Sequence, residues 1–232
     1  MDRDEILRVL RAFEAAGLEY VLIGATAMGF HGVVRATEDI DLFIRATPEN
    51  VERLRQAFRS AYDNDPNIDE ITAADLLGDY PALRYYPPSG DLYFDVMTRL
   101  GEVASFETVD AETRLVEGTR VHVATPLALY RLKKGTRAPE GPRRRGGPPP
   151  AFRARGRVMT SPARVQKFRS IEEMNAAAPL PAPDSGFERF VRHCARYWAL
   201  APRTYPRGVF KFRSIEEAER ARVSRPSGAG GA

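Results

Sequence analysis

In DEILRVLRAFEAAG the apolar residues Ile6, Leu7, Val9, Leu10 and Phe13 recur at the three-to-four spacing of one helical face, and the run stops at Gly17. EYVLIG then reads as a strand, Gly24 and Ala25 turn the chain, and TAMGFHG predicts a short helix. DIDLFI, rich in branched and aromatic residues, predicts the second strand. TPENVERLRQAFRSAY follows as a helix with Thr47 as cap and Pro48 at its first position. ALRYYP and DLYFDVMT, joined through PSG, form one hairpin; RLVEGTRVHVATP forms another around Glu117 and Gly118. A last helix begins at TPLALYRLKK. The pattern predicts an α/β (α+β) domain over residues 1–136, a mixed sheet flanked by helices.

The periodicity then fails. Residues 137–159 mix proline, glycine and arginine with no period of 2 or 3.6, the signature of a disordered linker. VQKFRSIEE at 165–173 recurs as VFKFRSIEE at 209–217. In both copies a strand-like KFR precedes Ser-x-x-Glu, Ser170/Glu173 and Ser214/Glu217, a capping box that satisfies orphan amides at a helix start. Between the copies, GFERFVRHCARYWALA sets Phe187, Phe190, Val191, Cys194, Tyr197 and Trp198 on one helical face. This predicts a small α+β C-terminal appendage over 160–223, with a partner- or nucleic-acid-binding module as the alternative, and a disordered tail at 224–232.

Composition is that of an ordinary globular chain, 43% apolar and 28% charged among 232 residues. No apolar run approaches the ~20 residues that span a bilayer, and the first ten residues are too charged for a secretory signal, so a cytoplasmic protein with no membrane partner is expected. One cysteine builds neither a disulfide framework nor a cysteine-based zinc site, and Cys194 reads as a small buried apolar residue. The net charge of +4 conceals a division. Residues 1–134 hold 15 Lys and Arg against 23 Asp and Glu, net −8; the other 98 hold 20 against 8, net +12. Such asymmetry points to a nucleic-acid-binding half or to attraction between the halves.

The chemistry lies in GATAMGFHGVVRATEDIDLFI. On a strand, positions i and i+2 share a face, so Asp39 and Asp41 project their carboxylates to one side about 6–7 Å apart. Two such anions repel and resist burial, and a divalent cation between them removes both costs. Mg²⁺ prefers oxygen ligands and leaves positions open for phosphates. Asp95, flanked by apolar residues in LYFDVMT, supplies a third acid from another strand. Gly24 and Ala25 leave room for a phosphate at the backbone, and Thr26 adds a hydroxyl. Arg35 reads equally as a phosphate contact or a surface charge, and His31 as structural. Together the parts describe phosphoryl or nucleotidyl transfer.

A strand, a glycine turn, a short helix, Asp-x-Asp on the next strand and a later third acid resemble the DNA polymerase β-like nucleotidyltransferase superfamily. More narrowly, residues 1–134 resemble the minimal bacterial nucleotidyltransferases related to AbiEii abortive-infection toxins, in which His-Gly and Arg-x-Thr-x-Asp-Ile-Asp recur in this order. The resemblance implies transfer of a nucleoside monophosphate from an NTP to an acceptor hydroxyl, with a two-metal Mg²⁺ site. Gly24 and Ala25, with Thr26 and Arg35, would bind nucleotide; Asp39, Asp41 and Asp95 would be the catalytic metal ligands, Asp95 also activating the acceptor. It further implies a toxin of a toxin–antitoxin pair with a cognate antitoxin, the acceptor being RNA, protein or a small molecule. The chain departs from the family at Ala25, where Gly or Ser is usual, and after LYRLKKGTR, where the family's Lys- and Asp-containing helical ending is missing. A one-base shift over suitable codons for 140–149 restores Lys-Asp-Arg-Ala-Asp-Ala-Ala-Ala-Leu, so 138–158 are expected to be a frameshift product, with a separate small protein fused from Met159. The rival reading is a catalytically impaired protein with the same fold, acting as a binding or antitoxin-like module. An aminoglycoside-modifying transferase also fits the acids but lacks an acceptor-pocket signature.

Overall fold

Asp2 accepts a hydrogen bond from the Glu5 amide at 2.9 Å and so opens α1 (Arg3–Ala15) in the computed structural model, which describes residues 2–100, 104–135, 185–200 and 205–223. Gly17, at φ +62°, turns the chain out of α1 into β1 (Tyr20–Leu22). There follow α2 (Gly24–Phe30), β2 (Asp39–Ile44) and α3 (Pro48–Ala61), the last capped by Thr47 through the Asn50 amide. The short α4 (Ala73–Leu77), which the sequence pattern did not predict, precedes β3 (Ala82–Tyr86) and β4 (Tyr93–Met97). The second hairpin is β5 (Ala111–Val116) with β6 (Thr119–Ala124), and Glu117 and Gly118 both take positive φ at its turn. Helix α5 (Pro126–Gly135) ends the first stretch; α6 (Gly186–Leu200), β7 (Gly208–Phe212) and α7 (Ile215–Val223) form the second.

The strands make one seven-stranded mixed sheet in the order β5-β6-β1-β2-β4-β3-β7, with β1/β6 and β2/β4 parallel and the other pairs antiparallel. Its two faces explain the unusual second strand. Ile40, Leu42 and Ile44 point into the main core with Phe13, Leu54, Phe58 and Phe94 beneath α1 and α3. The alternate residues Asp39, Asp41 and Phe43 face the opposite way. There Val21, Phe43, Ala82 and Met97 meet Ala128 and Leu132 of α5 and Phe212 of β7 in a second, smaller cluster.

The sequence pattern sets residues 160–223 apart as an appendage. In its described part the structure differs: the described residues 185–200 and 205–223 group with those of the first stretch as one compact unit. Two physical reasons account for this. The edge of β3 is completed by antiparallel pairing with β7 over five residues, Ala82 to Tyr86 against Phe212 to Gly208. And Phe187, Phe190, Val191, Cys194 and Trp198 of α6 enter the main core, where α6 packs on α2; Tyr197, expected on that face, is 39% exposed. Of the expected Ser214/Glu217 box one half forms, with Ser214 accepting from the Glu217 amide; the Glu217 carboxylate instead accepts from the amide of Arg213, one residue before the cap. The expected linker at 137–159, the first repeat copy at 165–173 and the tail at 224–232 lie outside the described residues. Among the described residues no helix is long and apolar enough to cross a membrane.

An ion pair fastens β7 to α4. Lys211 Nζ lies 2.8 Å from Asp75 Oδ2, and Thr72 also donates to that carboxylate. Chiefly because of Lys211, the Asp75 carboxyl is held below its ordinary value of 3.8. A depressed acid contributes stability above its unfolded pKa and loses it as pH falls through the folded one. Asp75→Asn is therefore expected to cost ~0.5–1 kcal/mol at pH 7. In urea unfolding series the difference from wild type should disappear as the pH drops below that of ordinary aspartate titration.

Candidate active site

The register places the acids side by side. Asp41 pairs with Asp95 across β2 and β4, and Asp95 pairs with Arg84 across β4 and β3, while Asp39 lies one strand repeat from Asp41 on the same face. One ligand oxygen from each of Asp39, Asp41 and Asp95 lies within 4.8 Å of the others. Asp39 and Asp95 are buried and Asp41 half-buried. Small rotations of carboxylates at that spacing let them share one hard cation, whose oxygen ligands sit at about 2.0–2.1 Å for Mg²⁺. The donor set, all carboxylate oxygen, is that of a hard cation rather than of zinc or copper.

Local structure holds each acid in place. The Thr37 hydroxyl donates to Asp39 Oδ1, and Trp198 Nε1 of α6 donates to the Thr37 carbonyl at 3.3 Å. Thr26 turns its hydroxyl to the Asp39 carbonyl at 3.1 Å, so this buried side chain braces β2 and is absent from the cavity lining. Gly24 is required twice over: its φ is +64°, and a Cβ there would stand 1.9 Å from Asp41 Oδ2. The floor formed by the acids opens into a cavity of about 350 Å³. Gly24, Ala25, Arg35 and Thr37 line one side of it, Leu129, Leu132 and Lys133 of α5 another, and Ile215, Ala218 and Glu219 of α7 a third.

Of the residues singled out from sequence, Gly24, Ala25, Arg35, Asp39, Asp41 and Asp95 therefore converge on one cavity, while Thr26 stands behind its wall. His31 is structural: its Nε2 donates to the Ala124 carbonyl at 2.8 Å, and Nδ1 faces Glu112 at 3.5 Å. Cys194 is fully buried, which pushes its thiol up and away from reactivity. Sequence reasoning missed Arg84, whose Nε and Nη2 meet Asp95 Oδ1 and Oδ2 at 2.6 and 3.2 Å. The available signal was a charged residue inside ALRYYP, opposite an acid in the hairpin partner. It also missed Lys133 and the α7 wall, which no local pattern connects to the acids.

A family model described as nucleotidyl transferase AbiEii toxin, type IV TA system, matches residues 6–129. The match contains Gly24, Asp39, Asp41, Arg84 and Asp95 and ends before Lys133, α6, β7 and α7. Neither the curated proteins nor the solved structures gave a match.

Proposed function

The chain belongs to the AbiEii nucleotidyl transferase toxin family, and we propose that it transfers a nucleoside monophosphate from an NTP to an acceptor hydroxyl with Mg²⁺. The observation that carries this reading is the trio Asp39, Asp41 and Asp95, gathered from two neighbouring strands on the floor of one cavity. A divalent cation bound by these acids would screen the triphosphate and polarise its α-phosphate. Gly24 and Ala25 leave space for the phosphates at the turn, and Arg35 and Lys133 bring positive charge to the cavity. Asp95 orients the acceptor and takes its proton. The acceptor oxygen forms a bond to the α-phosphorus, the bond from that phosphorus to the bridging oxygen breaks, and pyrophosphate leaves with the electron pair. The family's type IV toxin–antitoxin setting supports a cognate antitoxin as partner.

The test is incubation of the full chain with each α-labelled NTP, Mg²⁺ and total cellular RNA or protein. Label is expected on a macromolecule in at least one combination and is expected to vanish with EDTA. No label in any combination would reject transfer and leave the binding-module reading, which the engagement of both Asp95 oxygens by Arg84 favours.

The same reading sets an outcome for the turn. Gly24→Ala forces a methyl group into Asp41 and strains a positive-φ position, at ~1–3 kcal/mol. Mn²⁺ affinity, followed by calorimetric titration, is expected to fall at least ~10-fold through displacement of Asp41.

A further inference from the structure

Arg84 is 1% exposed and the largest fully buried side chain among the described residues. A guanidinium so placed is costly unless its partners are fixed. Here they are. Its fork grips both oxygens of Asp95, Nη2 also donates to the Ala218 carbonyl of α7 at 3.3 Å, and its carbon stands 5.4 Å from the ring centre of Tyr93 and 5.5 Å from that of Phe212. Phe212 and Ala218 lie in β7 and α7, beyond the family match at 6–129.

We propose that Arg84 is a positioning residue for the third acid: it clamps Asp95 in one orientation, and the C-terminal strand and helix hold the clamp. The inference rests on the nucleotidyltransferase reading. A carboxylate with both oxygens on a guanidinium has less electron density for a cation, and the guanidinium charge repels that cation directly. The clamp therefore weakens cation binding at Asp95 while fixing the geometry that turnover needs. Loss of a merely structural residue would loosen the site and weaken cation binding. Loss of this clamp changes affinity and turnover in opposite directions.

The experiment uses the full chain as wild type, Arg84→Gln and Arg84→Lys. Mn²⁺ is titrated calorimetrically without nucleotide, label transfer is resolved into kcat and KM, and a thermal melt checks folding. For Arg84→Gln, Mn²⁺ is expected to bind ~10-fold tighter, with kcat down by ~100-fold and the KM for NTP within ~3-fold of wild type. Arg84→Lys, which keeps the charge and loses the fork, should fall between the two on both measures. If Arg84→Gln does not melt cooperatively, Arg84→Lys decides by the same readings. Mn²⁺ affinity equal to or below wild type in the folded variants, or an unchanged kcat, overturns the assignment of Arg84 alone. A wild type that neither binds Mn²⁺ nor transfers label overturns the nucleotidyltransferase reading and this inference with it.

Discussion

Alanine at both Asp39 and Asp41 is expected to reduce label transfer at least ~10³-fold, about 4 kcal/mol of transition-state stabilisation. The same change is expected to leave the fold intact or slightly firmer. Asp39 is 2% exposed and shares a strand face with Asp41 and, across the register, Asp95. Without a cation these carboxylates repel, so removing two of them relieves a destabilising contact. The paired measurement is transfer of α-labelled NTP beside a thermal melt of the cation-free protein. Transfer that survives the double substitution would reject Asp39 and Asp41 as ligands. A lost melt would show instead that the acids hold the sheet together, through the Thr37 bond to Asp39 and its neighbours.

The second large effect lies far along the chain. Phe190→Ala is expected to cost ~3–5 kcal/mol. The Phe190 ring is fully buried and lies where a Cβ on Gly29 would come within 2.4 Å of it, so α2 carries glycine there to admit the ring. One turn earlier, Phe187 stacks at a tilt on Phe30 of α2 with ring centres 5.0 Å apart. For a unit of this size the loss corresponds to a melting temperature lower by about 10 °C. A loss below ~1 kcal/mol would return α6 to the status of an appendage. A loss of the expected size would instead make residues 185–200 part of the same folded unit as residues 2–135, against the expectation of a separate small protein fused from Met159.

How far the sequence carried the reading depends on the range of the interactions. DIDLFI fixed its own strand and both acids, because period-2 alternation and a neighbouring turn are local signals. The hairpin that brings Arg84 beside Asp95 was also legible in outline, since ALRYYP and DLYFDVMT are separated by a short turn; the pairing register was not. Placement of β7 was out of reach. A segment such as VFKFR says strand, but nothing in it says which edge it joins, and β3 lies more than a hundred residues upstream. The charge division and the linker between them suggested two bodies, whereas the apolar face of α6 had no sufficient core of its own and found one under α2. The setting of Thr26 was hidden for a related reason: a hydroxyl beside a glycine turn looks like a phosphate contact, and its bond to the carbonyl of Asp39 depends on a strand thirteen residues further on.

Trp198 is the only tryptophan of the chain. Its indole N–H is bonded to the Thr37 carbonyl, two residues before Asp39, and its ring has Tyr197 and Tyr205 as neighbours at 6.4 Å. The protein therefore carries its own optical gauge. Emission from this single indole reports the setting of the loop that delivers Asp39, so uptake of the proposed cation or nucleotide would be readable in the unlabelled molecule, free of any second fluorophore of its kind.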